Sequence, residues 1–290
     1  MKGKKTSNKS KNNSLNICIY IIGFILVLGG LCMFFYPYIS NFLAEKNQIE
    51  IIGHYDEIIT SMDQEKIVSE LEKARIYNEN LAGDPVYDPF VEGSGYGLPR
   101  NYFDILNVDN DGVMGYIEIP KIDVNLPIYH GTDNKVMEKG IGHIQVTSLP
   151  IGGNSTHSIL TGHTGLPSAE LFTNLDKLSE GDIFYIKVLN SILTYKIYEI
   201  KVILQSEIGV LKIETGKDLV TLVTCTPYGV NTHRLLVKAE RSTNTQHLDD
   251  NVNSSINFEN NKYLFICILI CLSVLFLFII LIIYLYKRGK

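Results

Sequence analysis

Cys225 differs from the other cysteines of the chain by its position. Four of the five cysteines lie in two long apolar stretches, and only Cys225 belongs to the more polar remainder. It follows the apolar, β-branched run 221–224 and precedes Arg234 by nine residues. A single cysteine cannot form a disulfide within its own domain, and a thiolate is a strong nucleophile. We therefore consider Cys225 as a nucleophile, against the alternative that it is a small buried apolar residue.

Two further residues supply the groups that a nucleophilic sulfur requires. His163 follows the apolar segment 158–160 within the sequence Thr-Gly-His-Thr-Gly, and its imidazole can move a proton. Arg234 offers a permanent cation with a planar fork of donors. Acyl transfer needs a thiolate, a proton donor for the leaving amine and donors for the oxyanion. The trio can perform all three tasks, although each residue alone could be a turn, cap or surface-pair residue.

A zinc site is the alternative use of the same residue types. His143, His157, His163 and Cys225 are the candidate ligands. No CxxC or HExxH motif accompanies them, and their spacing matches no common zinc motif. We therefore expect no metal and no cofactor.

The two apolar stretches predict membrane-spanning helices. Residues 15–39 and 263–286 carry no charge, and each is long enough to cross a bilayer as a helix. Five lysines lie in residues 1–14, and three basic residues lie in 287–290. Positive flanks favour the cytoplasm, which places both termini inside and the intervening domain outside the cell. A cleaved signal peptide is the alternative for 15–39, but the stretch is long and ends without a small-x-small site.

The charge of the outer segment excludes one class of partner. Residues 40–262 hold all 31 acidic residues and 18 of the 26 basic ones, a net charge of −13. Such a surface repels phosphate backbones, so we expect no nucleic-acid partner.

Three segments surround the predicted catalytic region. Residues 40–81 show helical periodicity, with Asp63 as the N-cap of a second helix, and are predicted to form juxtamembrane helices. Residues 82–110 are rich in Gly and Pro and predict a long functional loop. Residues 242–262 are polar and predict a linker to the second apolar stretch.

The region 111–241 predicts a mainly β domain. Short runs rich in Val, Ile, Leu, Thr and Tyr are separated by turn signals, which is typical of a barrel or sandwich. The expected strands are 114–119, 124–129, 183–188, 193–204, 219–224 and 234–239, with one short helix expected over 168–178.

The motif around Cys225 resembles that of the sortases. Thr221-Leu222-Val223-Thr224-Cys225 matches TLxTC, and an arginine follows it while a histidine precedes it, in the order His, Cys, Arg. Papain-like proteases have the cysteine before the histidine. Further segments similar to sortases between residues 84 and 241 are 115–120, 126–131, 147–150 and 231–235. These segments, together with a second apolar anchor, are most similar to the class C, pilin-polymerising sortases.

The resemblance implies a fold and a reaction. The fold would be an eight-stranded sortase β-barrel with N-terminal helices, flanked by two transmembrane helices. The reaction would be transpeptidation at an LPXTG-like sorting signal. Cys225 would attack the Thr–Gly carbonyl, His163 would protonate the leaving amine, and Arg234 would hold substrate or stabilise the oxyanion. A lysine of the next pilin subunit would then take the acyl group.

The loop 82–110 acquires a role through the same resemblance. Class C sortases carry a lid with an Asp-Pro-aromatic motif, which Asp88-Pro89-Phe90 matches. Asp88 would then pair with Arg234, and Phe90 would cover Cys225. An ordinary surface turn is the alternative, because Asp-Pro is common in turns.

Three other functions remain open at this point. A housekeeping-type sortase would join surface proteins to a cell-wall precursor amine instead of a pilin lysine. A thiol hydrolase would release the acyl group to water. A non-catalytic binding module on a membrane stalk would use none of the trio.

Overall fold

The computed structural model describes residues 6–81 and 101–242, together with 269–270, 273–278, 280 and 283–284. The chain divides into two compact units. One comprises residues 1–42 with 248–290, and the other comprises residues 43–247.

The first unit contains the N-terminal part of a long helix, α1 (Thr6–Ser61). The segment Ile19–Ser61 is, within the described residues, the one helix long and apolar enough to cross a membrane. Pro37 lies inside α1, where it removes one backbone hydrogen bond without ending the helix. Phe24 stacks on Phe278 at 3.7 Å between ring centroids. The second predicted membrane helix, 263–286, lies mostly outside the described residues.

The second unit begins with the end of α1 and with α2 (Gln64–Glu79), which has Asp63 at its N-cap. The side-chain amide of Asn78 fixes α2 to the barrel unit, because it pairs with a backbone group as a peptide of a neighbouring strand would. The Asn78 side chain donates to the Leu149 carbonyl at 3.1 Å and accepts from the Leu149 N–H at 2.7 Å. The Tyr55 hydroxyl of α1 likewise donates to the Met114 carbonyl and accepts from the Leu189 N–H. Both helices are thus bound to backbone groups.

Eight strands form a closed barrel in the order β1-β2-β3-β4-β7-β8-β6-β5. Their bounds are β1 Val113–Ile119, β2 Val124–His130, β3 Ile141–His143, β4 Thr156–Thr161, β5 Ile183–Val188, β6 Ser191–Leu204, β7 Asp218–Thr226 and β8 His233–Arg241. The pairs β2–β3 and β4–β7 are parallel, and the other neighbours are antiparallel. A four-residue helix, α3 (Asn134–Met137), lies between β2 and β3. The eight-stranded barrel expected from the resemblance is confirmed.

The barrel interior holds the main core. Alternate residues of the strands point inward, so that one face of each strand is removed from water. Its fully buried members include Ile117, Ile128, Phe184, Tyr195, Leu222 and Val237. The interior is filled by side chains, and the reactive residues must therefore lie on the outer face or at a rim.

The helix expected over 168–178 is wrong. The segment forms turns, with a short 3-10 helix at Leu175–Lys177. Leu171 has a φ of +41°, which no right-handed helix accommodates. The Phe172 N–H bonds back to the His163 carbonyl at 3.1 Å, and the Phe172 ring is fully buried. Packing of these apolar side chains overrides the local helical pattern.

Candidate active site

Cys225 lies near the end of β7, directly opposite Arg234 on β8. Residues opposite each other in an antiparallel pair share a face of the sheet, with their Cβ atoms about 4.5–5.5 Å apart. The exposed fraction is 8% for Cys225 and 2% for Arg234. The two side chains therefore start from adjacent positions on a largely covered surface.

His163 lies just beyond the end of β4, the strand that borders β7 on the side away from β8. β4 pairs in parallel with β7, and the last pair of the ladder is Thr161 with Val223. His163 and Cys225 each follow this last pair by two residues. The Gly162 peptide extends the contact, because its N–H donates to the Val223 carbonyl at 3.2 Å. Cys225 and Arg234 thus lie opposite each other on β7 and β8, and His163 follows the end of β4 on the other side of β7.

Thr224 fixes the turn that carries His163. Its hydroxyl donates to the Gly162 carbonyl at 2.7 Å, and Thr224 is buried. A Cβ at Gly162 would lie 2.7 Å from Cδ1 of Ile141 and 2.9 Å from Cδ2 of Phe172, so any larger residue would require these buried side chains to shift. The position of the His163 imidazole therefore depends on the hydrogen bond between Thr224 and Gly162 and on the close packing of Ile141 and Phe172 against Gly162.

The guanidinium of Arg234 is held by carbonyl oxygens. Nη1 donates to the carbonyls of Asn231 and His233, both at 3.0 Å, and Nη2 donates to Oε1 of Gln205 at 3.3 Å. Asn231 and His233 belong to the end of the β7–β8 turn and the start of β8. A fork held at several points keeps its orientation, which is what recognition of a developing oxyanion or a carbonyl requires.

A second apolar cluster continues from the site along the same face. Its buried members are Ile144, Ile159, Ile203, Leu211, Val223 and Leu236. Val223 lies two residues before Cys225, and Leu236 lies two residues after Arg234, so these residues share the face of the trio. Leu211 comes from residues 205–217, which join β6 to β7. We call these residues the β6–β7 connection; Leu211 packs in the cluster, and Gln205 at the start of the connection lies beside Arg234.

The imidazole of His163 is half-buried. Burial lowers the pKa of His163 below its ordinary value, and the negative charge of Glu138 acts in the opposite direction. The neutral imidazole is therefore favoured relative to a histidine in water. A neutral imidazole can take the thiol proton, and the resulting imidazolium can return it to a leaving amine.

Two of the histidines considered as zinc ligands, His143 and His157, are hydrogen-bonded to protein groups. Nδ1 of His143 accepts from the Tyr102 hydroxyl at 2.9 Å, and Nε2 lies 2.9 Å from the Ser148 carbonyl. Both ring nitrogens of His157 also have protein partners. The part of the chain that the structure describes holds no group of three or more His, Cys, Asp or Glu side chains arranged for a metal.

Sequence reasoning missed two contributors. Thr224 lies inside the TLxTC motif, but only the structure reveals its bond to Gly162. Gln205 carries no sequence signal, because it lies 29 residues from Arg234. The predicted lid residues Asp88 and Phe90 lie outside the described residues.

The comparisons with known proteins address the family of the chain. The sortase-domain family model matches residues 117–242. The crystal structure of sortase C-1 from Actinomyces oris is 48% identical in sequence, with a TM-score of 0.59. The match covers 61% of this chain and 98% of that chain. The chain belongs to the sortase family.

Other sortases extend the comparison. Sortase C of Streptococcus pneumoniae, whose structure was described for its pilin substrate specificity, is 39% identical with a TM-score of 0.61. That match covers 67% of this chain and 96% of that one. Sortase A of Staphylococcus aureus is 27% identical over 220 residues, which is 75% of this chain and 90% of that protein. The structural neighbours of this sortase are class C sortases, and it is a cysteine transpeptidase that transfers an acyl group through a thioester.

Proposed function

We propose that this sortase joins pilin subunits by cleaving an LPXTG-like sorting signal and transferring the acyl fragment to a lysine amine of another subunit. Its class C structural neighbours support this proposal, among them the Streptococcus pneumoniae enzyme with a pilin substrate. The observation that supports it best is the pairing of Cys225 with Arg234 on β7 and β8, beside the segment that leads from β4 to His163.

The acylation step follows from these three groups. His163 takes the proton of the Cys225 thiol, and the thiolate attacks the carbonyl carbon between Thr and Gly of the sorting signal. Arg234 donates to the oxyanion that forms. The C–N bond then breaks, the imidazolium of His163 gives its proton to the leaving glycine amine, and a thioester remains on Cys225.

The second step reverses the proton flow. The lysine amine of the next subunit attacks the thioester carbonyl, and His163 accepts the proton that the amine loses. The C–S bond breaks as the amide forms, and the sulfur regains a proton from His163. By sequence resemblance alone, Asp88 would pair with Arg234 between turnovers, and Phe90 would cover the sulfur of Cys225.

The test is a mass measurement on intact protein. The full chain in detergent micelles is mixed with an LPXTG-containing peptide, with and without a lysine-bearing pilin peptide. We expect a thioester adduct on Cys225, no adduct in Cys225→Ala, and a ligated product only when the lysine peptide is present. Cys32→Ala is the matched control, because Cys32 is an exposed cysteine of α1, and it should behave as the unaltered enzyme. A cleaved peptide without ligation in the presence of the lysine peptide would instead identify a thiol hydrolase.

Attachment of surface proteins to a cell-wall precursor is the second candidate. It is favoured by the relatives named sortase A, such as the Staphylococcus aureus enzyme. Supplying a wall-peptide amine and a pilin lysine together in the same reaction distinguishes the two, because the preferred acceptor dominates the ligated product.

We also propose the membrane arrangement that the apolar stretches predict. Residues 15–39 and 263–286 would both span the membrane, with tails 1–14 and 287–290 in the cytoplasm. Residues 40–81 would connect to the catalytic barrel 111–241 through the lid and loop 82–110, and 242–262 would lead to the second span. A reporter enzyme that works only in the cytoplasm, fused after Lys290, should be active; an inactive fusion with an active extracellular reporter would refute the second span.

A further inference from the structure

His157 is a buried histidine that the proposed mechanism does not use. It lies on β4, with 4% of its surface exposed, and both ring nitrogens have close partners. Nδ1 is 2.7 Å from the Lys212 carbonyl oxygen, and Nε2 is 2.7 Å from Oγ1 of Thr221. A carbonyl oxygen only accepts, so Nδ1 carries the hydrogen. Nε2 of the neutral ring then accepts from the Thr221 hydroxyl, and one tautomer satisfies both contacts.

The Lys212 carbonyl belongs to the β6–β7 connection. Leu211, the preceding residue, is 3% exposed and packs in the second apolar cluster with Val223 and Leu236. The connection begins at Gln205, which accepts from the guanidinium of Arg234. A shift of the connection would therefore reach the site at two points. One is the packing of Leu211 against the second apolar cluster, and the other is the hydrogen bond between Gln205 and Arg234.

His157 is too distant to touch the reacting atoms. It precedes His163 by six residues on an extended strand, which corresponds to about 20 Å. Thr221 likewise precedes Cys225 by four residues on β7. Both contacts of the His157 ring therefore lie on the outer face of β4 and β7, at the end of these strands opposite to Cys225.

We propose that His157 is a positioning residue for the transpeptidase. By donating to the Lys212 carbonyl, it holds the β6–β7 connection against the outer face of β4 and β7, and so keeps Gln205 in place as an acceptor for the guanidinium of Arg234. The inference rests on the proposed function in assigning Cys225 as the acylated residue and Arg234 as the oxyanion donor. Loss of the bond should loosen the guanidinium, and so slow the chemical step and leave peptide binding unchanged.

Two amide substitutions separate the hydrogen bond from the volume of the ring. The asparagine amide reaches the place of Nδ1, so His157→Asn can still donate to Lys212. The glutamine amide reaches the place of Nε2, so His157→Gln keeps the contact with Thr221 and loses the one with Lys212. Glutamine is closer to histidine in volume than asparagine is. If His157 only filled space, His157→Gln would be closer to the unaltered enzyme than His157→Asn in both measurements.

The experiment uses the full chain in detergent micelles. Amide hydrogen exchange of residues 205–217 is measured without substrate, and KM and kcat are measured with the LPXTG-containing peptide and the lysine peptide. In His157→Gln we expect faster exchange in the connection and a kcat lowered about five- to tenfold, the effect of one lost hydrogen bond, with KM unchanged. His157→Asn should resemble the unaltered enzyme in both measurements.

His54→Asn serves as the matched control. His54 is an exposed histidine of α1 whose Nε2 lies 2.9 Å from Asp109, and its replacement should alter neither measurement. The proposal is overturned if glutamine preserves kcat while asparagine does not, or if exchange in the connection rises and kcat stays constant. Absence of a Cys225 thioester in the unaltered enzyme would instead overturn the proposed function, since the exchange measurement requires no catalysis.

Discussion

Replacing His143 with glutamine should make the stability of the barrel less sensitive to acid. His143 is fully buried on β3, where Nδ1 accepts from Tyr102 and Nε2 donates to the Ser148 carbonyl. Burial lowers the pKa of His143 to about 3, against a smaller opposite effect of the bond to Ser148. Glutamine does not titrate, and its amide can still donate to Ser148.

The direction follows from proton linkage. In the unfolded chain His143 takes up a proton below about pH 6.5, whereas in the folded chain it does so only near pH 3. The stability that the neutral buried ring contributes is therefore present above pH 6.5 and is lost as the pH falls towards 3. From about pH 7.5 to about pH 4.5 the loss from this single histidine is about 2.5 kcal/mol.

The assay is urea unfolding of the full chain in micelles at a series of pH values. Near-ultraviolet circular dichroism of the tyrosines can follow it, because the chain has 17 tyrosines and no tryptophan. The free energy of unfolding should fall by about 2.5 kcal/mol more in the unaltered protein than in His143→Gln over that range. Parallel curves for the two proteins, whatever their vertical offset, would show that His143 titrates normally and would refute the reasoning.

Two further predictions concern the geometry and charge around His163. Thr224→Val removes the hydroxyl that donates to the Gly162 carbonyl. Because a small misplacement of a catalytic group is costly, we expect kcat to fall at least tenfold in this variant and Thr224→Ser to retain most activity. Equal kcat values in the two variants would contradict this. Glu138→Gln removes a negative charge that raises the pKa of His163, so the acid limb of the pH–rate profile should move to lower pH and the maximal rate should decline. Unchanged profiles at low salt would show that this charge does not reach the imidazole.

The strands around the site could be predicted from the sequence because they depend on local pattern. Residues 219–224 and 234–239 are apolar and β-branched, and the structure has β7 and β8 at those places. Their pairing as a hairpin follows from the short turn between them. The juxtaposition of Cys225 and Arg234 is therefore close to a local property of the sequence.

The placement of His163 is not local. It depends on the parallel pairing of β4 with β7, which are joined by a long path that includes β5 and β6. A sequence pattern does not specify which strands become parallel neighbours or in which register, so the resemblance to a known family was needed. The short helix expected over 168–178 failed for a related reason, since burial of Phe172 decides the path of that segment.

The guanidinium contacts have a consequence for protein engineering. Arg234 takes its orientation from the carbonyls of Asn231 and His233, whereas Tyr228 and Val230 in the same turn are exposed. The tip of this hairpin is therefore a place where foreign loops can be grafted without moving the carbonyls that hold the arginine, provided that the graft ends before Asn231. A swap that extended past that residue would change the aim of the arginine as well as the shape of the rim.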